Sequence, residues 1–257
     1  MLKIKPLASV LALATCSTGV VAQTTVLEEV IVTATKRAES LQDIPVTVNA
    51  VTADTLQDAG VVDLADVAQL VPALTTTSNL SPFATAIRIR GIGTSQNSIA
   101  LEASVAFVVD GVYMGRSGLG MSDLTDIERV EVLQGPQGTL YGKNSNAGVV
   151  SVVTSKPNFE ELAGFVEATV GDYGLQQYTA SVTGPVDDKL AYLLAGSWRD
   201  QDGWLKNGTG PDQMSTDDWS LRGKLQWLAT DALSILLTAS HVDRDDRCCA
   251  ADARQTD

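Results

Sequence analysis

Few side chains in this 257-residue chain are placed to do covalent chemistry. His241 is the single histidine, and it lies near the C-terminal end. A Ser-His-Asp or Cys-His set has little to draw on there. Cys248 and Cys249 are adjacent, which is not metal spacing. The run Gly138-Thr139-Leu140-Tyr141-Gly142-Lys143-Asn144 has the glycines and lysine of a phosphate loop. It is one spacer short, however, and Asn144 stands where Ser or Thr would hold magnesium. Gly91-Ile92-Gly93 is not followed by the third glycine of a dinucleotide site. The acid pairs Asp187-Asp188 and Asp245-Asp246 fall in expected turns, where solvated charge is the ordinary role. The sequence therefore reads as a non-enzyme with no resident cofactor or metal. Two cations, Arg90 and Arg129, sit in strand-like runs. A guanidinium stays charged and grips carboxylate through a planar fork, although solvent-facing strand charge is the simpler role.

The elements that must position these residues are mostly strands. Residues 126–157 (DIERVEVLQGPQGTLYGKNSNAGVVSVVTSKP) read as strand, glycine turn, strand. Upstream, residues 45–51 (PVTVNAV) read as a strand and residues 55–59 as a short helix capped by Thr52 or Asp54. A second helix starts at Asp63, places Leu64, Val67, Ala68 and Val71 at helical spacing, and ends at Pro72. Residues 86–90 and 105–110 are strands, and Asp110-Gly111 turns the second into a hairpin with residues 112–114. Together, residues 44–160 form one α+β domain.

From residue 163 the pattern becomes regular alternation in five strands. In the clearest, Trp219, Leu221, Gly223, Leu225 and Trp227 alternate with Ser220, Arg222, Lys224 and Gln226. The two tryptophans lie about 26 Å apart at roughly 3.3 Å per residue, close to the roughly 25 Å apolar band of a transmembrane barrel with its aromatic girdles. Connections at 184–189 and 229–232 are tight, and those at 171–177 and 199–217 are longer. This is the rhythm of short periplasmic turns and long outer loops. A soluble β-sandwich also alternates in this way.

At the other end, Lys3 and Lys5 precede an apolar run over residues 7–14, and Val20-Val21-Ala22 fits a cleavage site before Gln23. An N-terminal core helix is the alternative. The net charge is −13, and residues 1–22 carry two lysines and no acid, so residues 23–257 carry −15. Such a chain does not seek nucleic acid. A β-prone run, Glu28-Glu29-Val30-Ile31-Val32-Thr33-Ala34, follows the expected cleavage point. By composition alone it is an edge strand of the next domain.

The wording of residues 126–157 resembles the diagnostic plug segment of TonB-dependent outer-membrane receptors, and residues 28–34 resemble the TonB box of that family. The resemblance covers nearly all of residues 23–257. Asn146-Ala147-Gly148-Val149 departs from it, standing where many members have a Gly-Gly pair. It implies a signal peptide (1–22), a TonB box and linker (23–43), an α+β plug domain (44–160) and the first strands (161–257) of an antiparallel transmembrane β-barrel. It also implies that Glu29, Val30, Ile31, Val32, Thr33 and Ala34 bind TonB by β-augmentation, with ExbB-ExbD supplying energy from the inner-membrane proton gradient. Arg90 and Arg129 would pair with glutamates of the barrel wall. Ligand would meet the plug apex at residues 75–85 and 93–100, through Ser78, Asn79, Phe83, Ser95, Gln96 and Asn97. Ferric siderophore leads as cargo, with haem, cobalamin and oligosaccharide open. The expected setting is the outer membrane and its lipid, as a monomer when complete. Plugged barrels have about 22 strands, needing about 220 strand residues, whereas 95 follow Leu162. A fragment of a longer receptor is therefore expected. A passive outer-membrane channel or adhesion barrel with a constricting domain, or a soluble periplasmic module, are the alternatives.

Overall fold

The computed structural model describes residues 31–33, 36–37, 39–61, 64–78, 85–94, 101–115, 125–208 and 210–247. The expected signal peptide (1–22) and Cys248 and Cys249 lie outside the described residues. Residues 31–154 form the first unit. Its elements are β1 (Ile31–Val32), β2 (Glu39–Ser40), β3 (Val48–Thr52), α1 (Ala53–Asp58), α2 (Leu64–Leu70), β4 (Leu74–Ser78), β5 (Thr85–Ile89), β6 (Val105–Val109), β7 (Val112–Tyr113), β8 (Ile127–Gln134), α3 (Gly138–Tyr141) and β9 (Gly148–Thr154).

The central sheet runs β3-β8-β9-β6-β7. Only β6 and β9 pair in parallel, and the other neighbours are antiparallel. Both faces are apolar, as strict period-two alternation requires of a sheet covered on two sides. On one face Val51, Phe107, Val130, Val132, Val150 and Val152 pack with Leu56 of α1 and with Leu64 and Val67 of α2. On the other, Ala106, Val108, Leu133 and Val149 pack with Val32 and Ile44. The expected linker at residues 23–43 is thus not wholly outside the plug's packing, since Val32 is fully buried.

Two turns depend on special backbone. Asp110 and Gly111 both have positive φ (47° and 84°), the geometry of the two-residue turn that suits right-twisted hairpins. Gly148 has a φ of 148°, and a Cβ there would come within 2.3 Å of the Leu133 carbonyl oxygen. The departure at Asn146-Ala147 therefore keeps glycine where β9 passes closest to β8.

The boundaries shift from the expectations in places. The first strand of the central sheet starts at Val48 rather than residue 45. The segment between β8 and β9 contains one helical turn, α3. The largest difference is β4. Residues 75–78, within the expected apex segment 75–85 and polar in composition, form a strand antiparallel to β5. Threonine's branched side chain favours extended backbone even where its polarity suggests a loop.

The second unit is a five-stranded antiparallel meander, β10 (Ala163–Val170), β11 (Gln176–Asp187), β12 (Leu190–Gln201), β13 (Thr216–Thr230) and β14 (Leu233–Arg244), in sequence order. The expected five alternating strands are all present, with short turns at one end and longer connections at the other. Along β13, Ser220, Arg222 and Lys224 are buried at 3–6% exposure, while Trp219, Leu221, Leu225 and Trp227 are exposed at 39–53%. Register places Tyr178, Trp198 and Trp219 side by side on three strands. Tyr178 and Trp198 stack at 5.8 Å, and Trp219 lies 5.0 Å from His241. This row marks the long-loop end of the outward face, and Trp227 marks the short-turn end.

Candidate functional site

Two places on the plug concentrate buried charge. The first holds the expected coupling segment against the plug. Ile31 and Val32 pair with Ser40 and Glu39. Period-two alternation along β8 puts Val130 and Val132 on the helix-covered face, and Glu131 and Leu133 on the face that Val32 covers. Glu131 is 0% exposed, and its Oε1 accepts hydrogen bonds from Thr33 N (2.8 Å), Thr33 Oγ1 (3.3 Å) and Arg129 Nε (2.7 Å). Arg129 Nη2 donates to Thr33 Oγ1 at 3.1 Å, and Nη1 pairs with Glu128. Thr33, Arg129 and Glu131 therefore form one cluster. Charge-assisted bonds of this kind are about twice as strong as neutral ones. Glu131 Oε2 has no hydrogen-bond partner among the described residues. Lys36 Nζ sits 5.3 Å from the centroid of the Tyr141 ring. Burial, followed by the nearby Glu131 charge, pushes the Tyr141 hydroxyl up to about 12, so it stays a neutral donor.

The expected site residues divide accordingly. Ile31, Val32 and Thr33 are described and brought to the plug face, whereas Glu29, Val30 and Ala34 lie outside the described residues. Arg129 meets carboxylates of its own strand, and no wall glutamate faces it among the described residues. Arg90 is exposed with φ 53°, and its Nε donates to Gln134 Oε1 at 2.6 Å. The structure does not bring the two arginines to a shared carboxylate. Ser78 ends β4, and Asn79, Phe83, Ser95, Gln96 and Asn97 lie outside the described residues.

The second concentration joins plug to wall, and the sequence reading passed over it. Lys224 Nζ, on a side chain 1% exposed, donates to the Ser155 carbonyl (2.7 Å), the Thr154 carbonyl (3.2 Å) and Thr154 Oγ1, and lies 3.2 Å from Asp110 Oδ2. Asp110 in turn accepts from Thr154 N (2.8 Å) and Thr154 Oγ1 (2.6 Å). Two residues along β13, Arg222 Nη1 donates to the Thr125 carbonyl at 2.7 Å. Beside them Asp126 is 9% exposed. Burial raises its carboxyl to about 6, against the opposing pull of a Ser155 hydrogen bond and the Lys224 and Arg222 charges. The available signal was the pair of cations at i and i+2 on the polar face of a strand whose other face is apolar. A cation on that face must point into whatever fills the barrel.

Comparison with known proteins agrees with this architecture. Residues 40–149 match the family model described as TonB-dependent Receptor Plug Domain. The chain is 31% identical over 200 residues to the pesticin receptor of Yersinia pestis, covering 75% of this chain and 29% of that relative. It is 27% identical over 212 residues to an iron-regulated outer membrane virulence protein of Vibrio cholerae, covering 78% of this chain and 31% of the relative. It thus spans under a third of the length of these relatives. Among solved structures, the ferric yersiniabactin uptake receptor of Yersinia pestis superposes with a TM-score of 0.70 at 29% identity, over 77% of this chain and 31% of that one. The ferripyoverdine receptor of Pseudomonas aeruginosa shares the fold, with a TM-score of 0.70 at 20% identity over 84% of this chain and 27% of that one. With residues 40–149 matching that plug model, and three quarters of the chain aligned to the pesticin receptor and to the ferric yersiniabactin uptake receptor, the chain belongs to the TonB-dependent receptors.

Proposed function

We propose that the chain is the plug-bearing part of an energised outer-membrane importer whose cargo is a ferric siderophore. Residues 1–22 direct export and are removed. Ligand binds at the outer face, between plug apex and loops, where Ser78, Asn79, Phe83, Ser95, Gln96 and Asn97 are the candidate contacts. Binding frees residues 29–34 to the periplasm. TonB, driven by ExbB-ExbD and the proton gradient, pairs with them and pulls. Arg90 and Arg129 pair with wall glutamates in strands beyond β14.

The observation that carries this reading is the attachment of residues 31–33. In backbone terms they are held by a two-residue strand pair alone, with Thr33 bonded to Glu131 and Arg129 and the Val32 side chain buried beside them. An extended segment held by so few bonds can be traded for a partner strand, because β-augmentation supplies backbone bonds of the same kind. A passive channel or adhesion barrel has no use for such a segment. The names of two relatives, an iron-regulated outer membrane virulence protein and a ferric yersiniabactin uptake receptor, support an iron-chelate cargo.

The test is Ile31→Pro in the receptor gene that carries these residues, in an iron-starved host. Proline removes the backbone donor that a ladder needs. Binding of radiolabelled ferric siderophore to cells should be kept, while accumulation falls to the level of a TonB-deficient strain. Uptake equal to the parent's would exclude the coupling role.

A further inference from the structure

We infer that Lys224, assisted by Arg222, is a positioning residue that seats the plug on the barrel wall, with the Asp110 turn as its counter-charge. The polarity is the point: here the wall supplies cations and the plug supplies a carboxylate and carbonyl oxygens.

The geometry is specific. A lysine amine has three donors and no acceptor. Lys224 directs them at two carbonyls and a hydroxyl within one short stretch of plug, Thr154-Ser155, with Asp110 at 3.2 Å. Asp110 is the first turn residue of the β6–β7 hairpin, and Thr154 is the last residue of β9. One ammonium therefore ties together the hairpin turn, the end of the parallel strand pair and the wall. Arg222 takes the carbonyl just before β8 in the same manner. At 1% exposure, the Lys224 ammonium is shielded from water while the plug is seated, so removing one of its plug partners in place leaves a buried charge short of an acceptor. Gln226, next along the same polar face, bonds instead to Ser234 within the wall at 3.1 Å. The seat is thus confined to two consecutive inward positions of β13. It requires neither cargo nor TonB, so its failure would leave the importer reading untouched.

The test is hydrogen–deuterium exchange on the full chain folded in detergent micelles. The amides of Asp110 and Thr154 report directly, because Asp110 N bonds the Val152 carbonyl and Thr154 N bonds Asp110 Oδ1. Lys224→Met should speed exchange in residues 108–111 and 152–155 about tenfold, the loss expected for one charge-assisted hydrogen bond. Residues 48–52 at the far edge of the sheet should not change. Lys224→Arg keeps the charge and donors and should stay close to the parent, as should the control Gln226→Met. Exchange in Lys224→Met equal to that in Gln226→Met overturns the proposal. So does acceleration that reaches residues 48–52 equally, which marks a general loss of stability, or a loss in Lys224→Arg as large as in Lys224→Met, which shows that the charge is not what holds the seat. Should Lys224→Met not fold, Asp110→Asn removes the same ion pair from the plug side and tolerates the same turn backbone. Unchanged exchange in that variant is equally decisive against the seat.

Discussion

In the plug, β8 carries Val130 and Val132 on one face and Leu133 on the other, all at 1% exposure or less. In the wall, β13 carries Arg222 and Lys224 inward at 5% and 3%, with Leu221 and Trp227 outward at 53% and 50%. Both strands alternate with period two, yet they answer to different surroundings. The plug sheet is closed over by its own helices on one side and by Val32, Leu41, Ile44 and Val46 on the other. The wall sheet presents an outward apolar stripe with an aromatic row at one end and Trp227 at the other. Along β13 its inward face is polar and meets carbonyls of the plug, while Ala191, Leu193 and Ala195 of β12 make the same face apolar one strand away. Alternation alone therefore reports a sheet with two unlike faces, and the partner of each face has to come from elsewhere in the molecule.

Substitutions can break this contrast in order of size. Val132→Asp places an unpaired charge in the plug core and should cost about 4 kcal/mol or more, a large part of a domain's 5–15 kcal/mol. A urea titration read by protease resistance of residues 40–155 should show the plug unfolded at concentrations the parent survives. Leu194 is 50% exposed and pairs with Gly223, midway between Trp219 and Trp227. Leu194→Arg should cost about 2–4 kcal/mol in a bilayer, measured as folding into phosphatidylcholine vesicles against urea. Insertion as efficient as the parent's would remove lipid as the neighbour of that face. The smallest effect lies at the seam between the sheets. Asp126 has a folded value of about 6, above its unfolded value of about 3.9. The folded plug therefore holds an extra proton between those limits, and this group's contribution to stability rises as pH falls through 6 towards 4. Asp126→Asn should raise the urea midpoint at pH 7 and leave it nearly unchanged at pH 4. The difference is on the order of 1 kcal/mol after allowing for the solvent that still reaches the group. A variant whose pH dependence matches the parent's would assign the titration elsewhere.

Much of this contrast was legible before the fold. The Trp219–Trp227 alternation identified β13 and its outward face, although the strand runs on at both ends, over Thr216–Thr230. Asp110-Gly111 located the hairpin, because few dipeptides accept two consecutive positive φ values. What could not be read depended on contacts distant in sequence. Nothing in Glu29–Ala34 announces that Val32 is buried, since the residues covering it come from β8, β9 and β6. The burial of Glu131 follows from which face of β8 the returning segment covers. Arg222 and Lys224 were correctly placed on the polar face, but alternation cannot say that this face meets the plug's turn and strand end rather than water. Leu74–Ser78 was hidden by composition, its three threonines reading as a polar loop while their branched side chains favour a strand.

A single oxygen, Glu131 Oε1, receives donors from Thr33 and from Arg129 at once. Two stretches nearly a hundred residues apart thus answer to one atom, and neither can drift without the other registering it. Because Thr33 donates through its backbone N–H as well as its hydroxyl, any residue but proline at 33 keeps half of the knot, whereas a change at 131 unties both stretches at once.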